Sequence, residues 1–159
     1  METKTNVMRI LEAHKIPYKS YSYIGTGALS GEEIAIALHQ NPAQVFKTLV
    51  TVARSGQHYV FMLPVCAELD LKHAALAVGE KSVDMLKMRD LLGLTGYVHG
   101  GCSPIGMKKQ FKTVIDASAK KFNTIIFSAG RIGYQVELST ENLEKIIPIS
   151  FFDICTQQN

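Results

Sequence analysis

Hydrophobic residues recur at helical spacing at the start of the chain, where Val7, Ile10 and Leu11 share a stripe with His14 behind Thr5 as an N-cap. The spacing predicts a helix of about three turns that ends before Pro17 and packs its apolar face on the core. The pattern then changes. Tyr18 to Tyr23 interleaves tyrosine with polar residues and reads as a strand with three tyrosines on one face, broken by Gly25-Thr26-Gly27. Ser30-x-x-Glu33 is a capping box ahead of Ile34, Ala37 and Leu38, which form the stripe of a second helix. Asn41 followed by Pro42 predicts one more short helical turn.

Val45 to Ala53 is the most strand-like run, and Arg54-Ser55-Gly56-Gln57 turns it into a second strand, His58 to Pro64. Leu71, Ala74, Ala75 and Val78 predict a helix capped by Asp70 and stopped by Gly79, and Met85 to Leu92 predicts another short one. Tyr97-Val98-His99 reads as a short strand. Lys112–Ile115, Thr124–Ser128 and Tyr134–Leu138 read as three more, and Glu141–Ile146 as a final helix. Strands and helices interleave without a linker or an internal repeat. The expected fold class is α/β, a single domain over residues 1–159, with a mixed barrel-like β-sheet and surrounding helices.

Composition narrows the partners more than the fold. With 159 residues, 47% hydrophobic and 19% charged, the chain is expected to fold throughout, with no need of a disulfide or metal for stability. Three widely spaced cysteines and an N-terminus without an apolar signal segment point to a reducing cytoplasm. No apolar run approaches the roughly 18 residues that span a bilayer, so no membrane partner is expected. A net charge of +3 permits a polyanionic partner. Without Trp, an aromatic RNA-binding strand signature or a long basic block, RNA would be held by scattered lysines and a pocket.

His99 to Lys109 concentrates the candidate chemistry. Gly100, Gly101, Pro104 and Gly106 make a side-chain-poor loop whose backbone N–H groups can approach a ligand, although glycine and proline are also ordinary turn punctuation. Lys47 interrupts a run suited to burial on both faces, so it lies either at an edge or in a polar pocket. Tyr23, Ser103, Ser128 and the amides near Gly100 and Gly101 are the donors available to such a pocket. Ser128-Ala129-Gly130-Arg131-Ile132-Gly133 is a second donor-rich turn, although taken alone it reads first as a hairpin turn, since Gly-rich turns between strands need no ligand. Phosphate-loop, zinc-protease, serine-hydrolase and Cys-x-x-Cys motifs are absent, and the five histidines lack metal-ligand spacing. Cys102 has no assured base beside it and reads as a small filler or specificity residue rather than a nucleophile.

Phe46-Lys47-Thr48, Thr95-Gly96-Tyr97, Gly100-Gly101-x-Ser103-Pro104-x-Gly106-x-Lys108-Lys109 and Ser128-x-Gly130-Arg131-x-Gly133 occur in one order. This set resembles the YbaK/EbsC-type aminoacyl-tRNA deacylases, relatives of the editing domain of bacterial prolyl-tRNA synthetase, from about Ile10 to Ile154. The resemblance implies a freestanding enzyme that removes cysteine mischarged onto tRNA(Pro). It implies catalytic roles for Lys47 and Gly101, the latter in a backbone-donor loop. It implies substrate contacts for Tyr23, Phe46, Thr48, Gly100, Cys102, Ser103, Pro104, Gly106, Ser128 and Gly130. No cofactor is implied, aminoacyl-tRNA is the expected partner, and tRNA selection is expected to come from prolyl-tRNA synthetase. Cys102 stands where an aliphatic residue is usual, and Gln135 where some relatives carry an acid, which bears on substrate choice. Deacylation of Ala-tRNA(Pro) or another small-residue aminoacyl-tRNA, and a non-catalytic nucleotide or aminoacyl-adenylate module, remain the alternatives. The chemistry needs no protein nucleophile, because an aminoacyl ester is already activated and a cysteinyl ester carries its own thiol.

Overall fold

A computed structural model describes residues 3–157. Helix α1, Asn6–Ala13, starts where Thr5 accepts from the Met8 N–H and is shorter than expected; of the expected stripe it buries Val7 and Leu11, with Met8 beside them, while Ile10 is partly buried and His14 is its exposed C-cap. Strand β1, Lys19–Ser22, follows. Tyr18 packs on one core cluster and Tyr21 on another, so the three tyrosines do not share a face. The reason is parity: three positions separate Tyr18 from Tyr21, and an odd step crosses the pleat. Helix α2, Gly31–Ala37, opens on Ser30, whose hydroxyl accepts from the Glu33 N–H, and Asn41 likewise caps a 3-10 turn at Pro42–Gln44.

Strands β2, Phe46–Ala53, and β3, His58–Pro64, form the expected hairpin, and helix α3, Leu71–Val78, runs from Asp70 to a left-handed Gly79. Val83–Met85 instead pairs with β2 as strand β4, and helix α4 begins later, at Met88–Thr95. Tyr97–His99 forms no strand. Strand β5, Thr113–Asp116, is followed by a 3-10 turn at Ala117–Lys121, then β6, Ile125–Ser128, and β7, Tyr134–Leu138. Helix α5 is Thr140–Glu144, and an unforeseen strand β8, Ile149–Phe152, ends the order.

The mixed sheet is divided in two. An antiparallel sheet runs β1-β7-β6, and a five-stranded sheet runs β4-β2-β3-β5-β8 with parallel pairing at β3/β5 and β5/β8. An isolated parallel bridge between Val45 and Ile126 joins them. Phe46, Met62 and Ile115 of the large sheet meet Ile125, Phe127, Val136 and Leu138 of the small one, with Val7 and Leu11 of α1 closing the cluster. On the other face Phe61, Leu63 and Val114 pack on Ala74 and Ala75 of α3. A third cluster joins Val50 and Val60 to Tyr97, Cys102 and Phe111, and so fixes the glycine loop to the large sheet.

Glycine is required where that loop and the Ser128–Gly133 turn close on the core. Gly130 has φ +85°, and a β-carbon there would lie 2.9 Å from both Tyr97 Cε1 and Val7 Cγ2. Val7 is fully buried and Tyr97 nearly so, and neither has room to retreat. Gly56 has a similar φ of +92° but open space around it. Gly130→Ala is expected to lose about 2–4 kcal/mol by combining overpacking with backbone strain, while Gly56→Ala loses about 1 kcal/mol from strain alone. Urea unfolding of the two variants measures the difference.

Candidate functional site

A cavity of about 810 Å³ lies where β2 and β6 part beyond the Val45–Ile126 bridge. Both strands line it, through Phe46, Lys47 and Thr48 on one side and Phe127 and Ser128 on the other. Tyr23 enters from the turn after β1, Gly100 and Cys102 from the glycine loop, and Gln135 from β7. Seven residues expected from the sequence thus meet in one place: Tyr23, Phe46, Lys47, Thr48, Gly100, Cys102 and Ser128.

Lys47 alternates with Phe46 and Thr48 and so leaves β2 on the opposite face. Its ammonium reaches the Val65 carbonyl at 3.5 Å, at the end of the cavity walled by Ser30 and Gly31. It is half-buried, and the ion pairs among the described residues, Lys4–Glu12 and Asp70–His73, do not include it. A cation held in this way is electrostatically open to an anion entering the cavity. Around the mouth, Leu29, Met85, Met88 and Ile132 are exposed apolar side chains suited to cover an aromatic or aliphatic ligand.

Five expected residues lie elsewhere. Gly101 does not line the cavity, and its N–H donates to the Val98 carbonyl at 3.0 Å, so the turn itself consumes the amide expected to serve as a donor. A β-carbon on Gly101 would come within 3.2 Å of the Ile132 backbone nitrogen, and this close approach explains the glycine. Ser103 is fully buried, with its hydroxyl accepting from the Ile105 N–H, and Pro104 is buried beside it. Gly106 faces the Tyr97 hydroxyl and α1, and Gly130 faces Tyr97 and Val7. These four brace the loop and do not touch the cavity.

Two polar residues already named from the sequence take their setting from the strand registers. Gln135 is 95% buried, and its Oε1 accepts from Gln40 Nε2 at 2.8 Å, linking the cavity wall to the end of α2. Only the register of β7, which alternates Val136 and Leu138 into the core, turns Gln135 the other way. Thr48 Oγ1 is buried without a hydrogen-bond partner among the described residues. Neither signal is readable before the strands are placed. Among the described residues no three His, Cys, Asp or Glu side chains gather as metal ligands, and no helix is long and apolar enough to cross a membrane.

With this geometry in hand, similarity to known proteins is informative. A family model described as the aminoacyl-tRNA editing domain matches residues 27–146. The chain is 44% identical over 158 residues to the "Putative Cys-tRNA(Pro)/Cys-tRNA(Cys) deacylase EbsC" of Enterococcus faecalis, covering 99% of this chain and 96% of that protein. A solved structure described as a putative trans-editing enzyme for prolyl-tRNA synthetase superposes with a TM-score of 0.83 at 20% identity, over 98% of this chain and 100% of that one. The hypothetical protein APE2540 superposes with a TM-score of 0.84 at 19% identity, over 96% and 100%. The two structures establish likeness of fold.

Burial pushes the Cys102 thiol up to about 12 from its ordinary value near 9, so it is neutral at pH 7 and a poor nucleophile. The unfolded thiol loses its proton first as pH rises, and the stability linked to Cys102 is present below 9 and lost toward 12. Stability measured by urea unfolding above about pH 9 should therefore fall less steeply in Cys102→Ser than in the wild type. Alkylation at neutral pH should modify exposed Cys66 well before Cys102; rapid native-state labelling of Cys102 would contradict this assignment.

Proposed function

The chain belongs to the aminoacyl-tRNA editing-domain family, and we propose that it acts in trans as a deacylase that removes cysteine mischarged onto tRNA(Pro). The observation that carries this reading is the Lys47 ammonium, which has no carboxylate partner among the described residues and borders a cavity large enough for a terminal adenosine and a small amino acid. Adenosine and its ester bring what that cavity lacks: a phosphate and a carbonyl oxygen that gains negative charge as the bond breaks. Lys47 attracts either one, and the low dielectric of the apolar walls strengthens the attraction.

The reaction splits the ester between the aminoacyl carbonyl carbon and the ribose oxygen. Water adds to the carbonyl, and the ribose oxygen leaves with a proton as the free amino acid forms. With a cysteinyl ester the substrate's own sulfur can attack first, giving up its proton to the departing ribose oxygen, after which water opens the cyclic thioester. Either route dispenses with a protein nucleophile, in keeping with the neutral Cys102 thiol. Tyr23, Phe46, Thr48, Gly100, Cys102 and Ser128 are the residues positioned to contact the substrate. The chain is a single editing unit in this reading, acts in the cytoplasm where aminoacyl-tRNA is consumed, and takes tRNA selection from prolyl-tRNA synthetase.

Purified protein should discharge Cys-tRNA(Pro) faster than it discharges Ala- or Ser-charged tRNA. Lys47→Ala should lower the rate by about 10²-fold or more while leaving the urea midpoint near that of the wild type. Failure of the wild type to discharge any of these tRNAs would overturn the proposal. A pull-down with prolyl-tRNA synthetase in the presence and absence of tRNA(Pro) checks the partner.

A further inference from the structure

The strand registers aim main-chain groups that no side-chain pattern reveals. In the hairpin, Ala53 N–H donates to Gln57 O and Val65 N–H to Val45 O, which sets the hydrogen-bonded positions of β2 at 45, 47, 49, 51 and 53. Phe46, Thr48 and Val50 therefore turn their N–H and C=O away from β3. On that outer edge the Val50 carbonyl accepts from Leu86 N–H, where the pairing with β4 ends, while ladder pairing toward β6 is the single bridge at Val45, just ahead of β2. Thr48 lies between these two limits. On the facing strand, Ala129 N–H donates to Tyr134 O, so Ser128 likewise turns its main chain out of the β6–β7 ladder. Thr48 and Ser128 both line the cavity, which is a gap in the sheet where a strand would fit.

Resting on the deacylase reading above, we infer that the aminoacyl group docks against Thr48 as a one-residue strand. Its α-ammonium donates to the Thr48 carbonyl, and its ester carbonyl accepts from the Thr48 N–H. An α-aminoacyl ester carries a donor and an acceptor at the separation of a strand residue, so it completes the two bonds of one hydrogen-bonded antiparallel pair. As the carbonyl carbon becomes tetrahedral its oxygen gains charge, and the bond from Thr48 N–H strengthens. Thr48 thereby takes the part that Gly101, committed to Val98, does not fill. Paired residues carry their side chains on the same face. The substrate side chain thus falls on the Phe46–Val50 side of β2, where Cys102 packs with Val50 and limits its size.

The test removes the Thr48 N–H alone, by substituting the α-hydroxy acid analogue of threonine at position 48 through ligation or nonsense suppression. The register leaves that N–H out of the β2–β3 ladder, so the urea midpoint should hold while kcat for Cys-tRNA(Pro) falls about 10²-fold. With wild-type protein, tRNA(Pro) carrying 3-mercaptopropionate, which lacks the α-amine, should show a KM raised on the order of 10-fold. An unchanged kcat in the first experiment, or an unchanged KM in the second, overturns this docking mode while wild-type discharge of Cys-tRNA(Pro) leaves the deacylase reading standing. A wild type that discharges no charged tRNA overturns both.

Discussion

The rest of the structure depends on two strands that meet once and then separate. Val45, just ahead of β2, bridges Ile126 of β6, and beyond that bridge the two strands pair with other partners. β2 is held by β3 along its whole length and by β4 from Thr51 onward, and β6 is held by β7. Continuing the β2–β6 ladder past Thr48 would displace β4 from the same edge of β2, and main-chain groups in a sheet resist that exchange. The wedge is therefore a consequence of topology. It leaves main-chain edges of both strands beside a cavity whose walls are largely apolar side chains.

The position of Lys47 follows from the same constraint. In a complete sheet its ammonium would be buried between two layers without a partner, at a cost of several kcal/mol. At the end of β2, beside the wedge, it stays half-buried and finds the Val65 carbonyl while retaining access to the cavity. The feature that makes a lysine tolerable in an apolar strand also makes it available to an incoming anion. Stability and chemistry do not compete at this residue.

Local signals in the sequence mark most elements, because caps and alternation are written in adjacent residues. Thr5, Ser30, Asn41, Asp70 and Gly79 each end or begin an element where their chemistry indicates. What escaped was set at long range. Val83–Met85 becomes a strand because the outer edge of β2 is open there, and Ile149–Phe152 because β5 offers a parallel edge. Neither stretch has a pattern that distinguishes it from a helix start or a tail. The site divides along the same line: Lys47 stands out as a charge in an apolar run, whereas the aim of Thr48 and Gln135 exists only once the registers are fixed.

In the glycine loop Gly100 and Cys102 line the cavity, while other glycines work at close approaches behind that wall. Gly101 lets the loop lie against the Ile132 backbone, Gly106 makes room for the Tyr97 hydroxyl, and Gly130 lets the neighbouring turn close on Tyr97 and Val7. Tyr97 donates to the Ile105 carbonyl and so ties the loop to the ring that Gly106 and Gly130 approach. Remove any of these close approaches and the loop moves outward, taking Gly100 and Cys102 with it. The glycines act on the cavity by holding one wall at a fixed distance from β2. That distance decides whether a ligand seated on the strand edge is enclosed or left in water, and an enclosed site is where a single ammonium and a single N–H have their greatest effect on a developing charge.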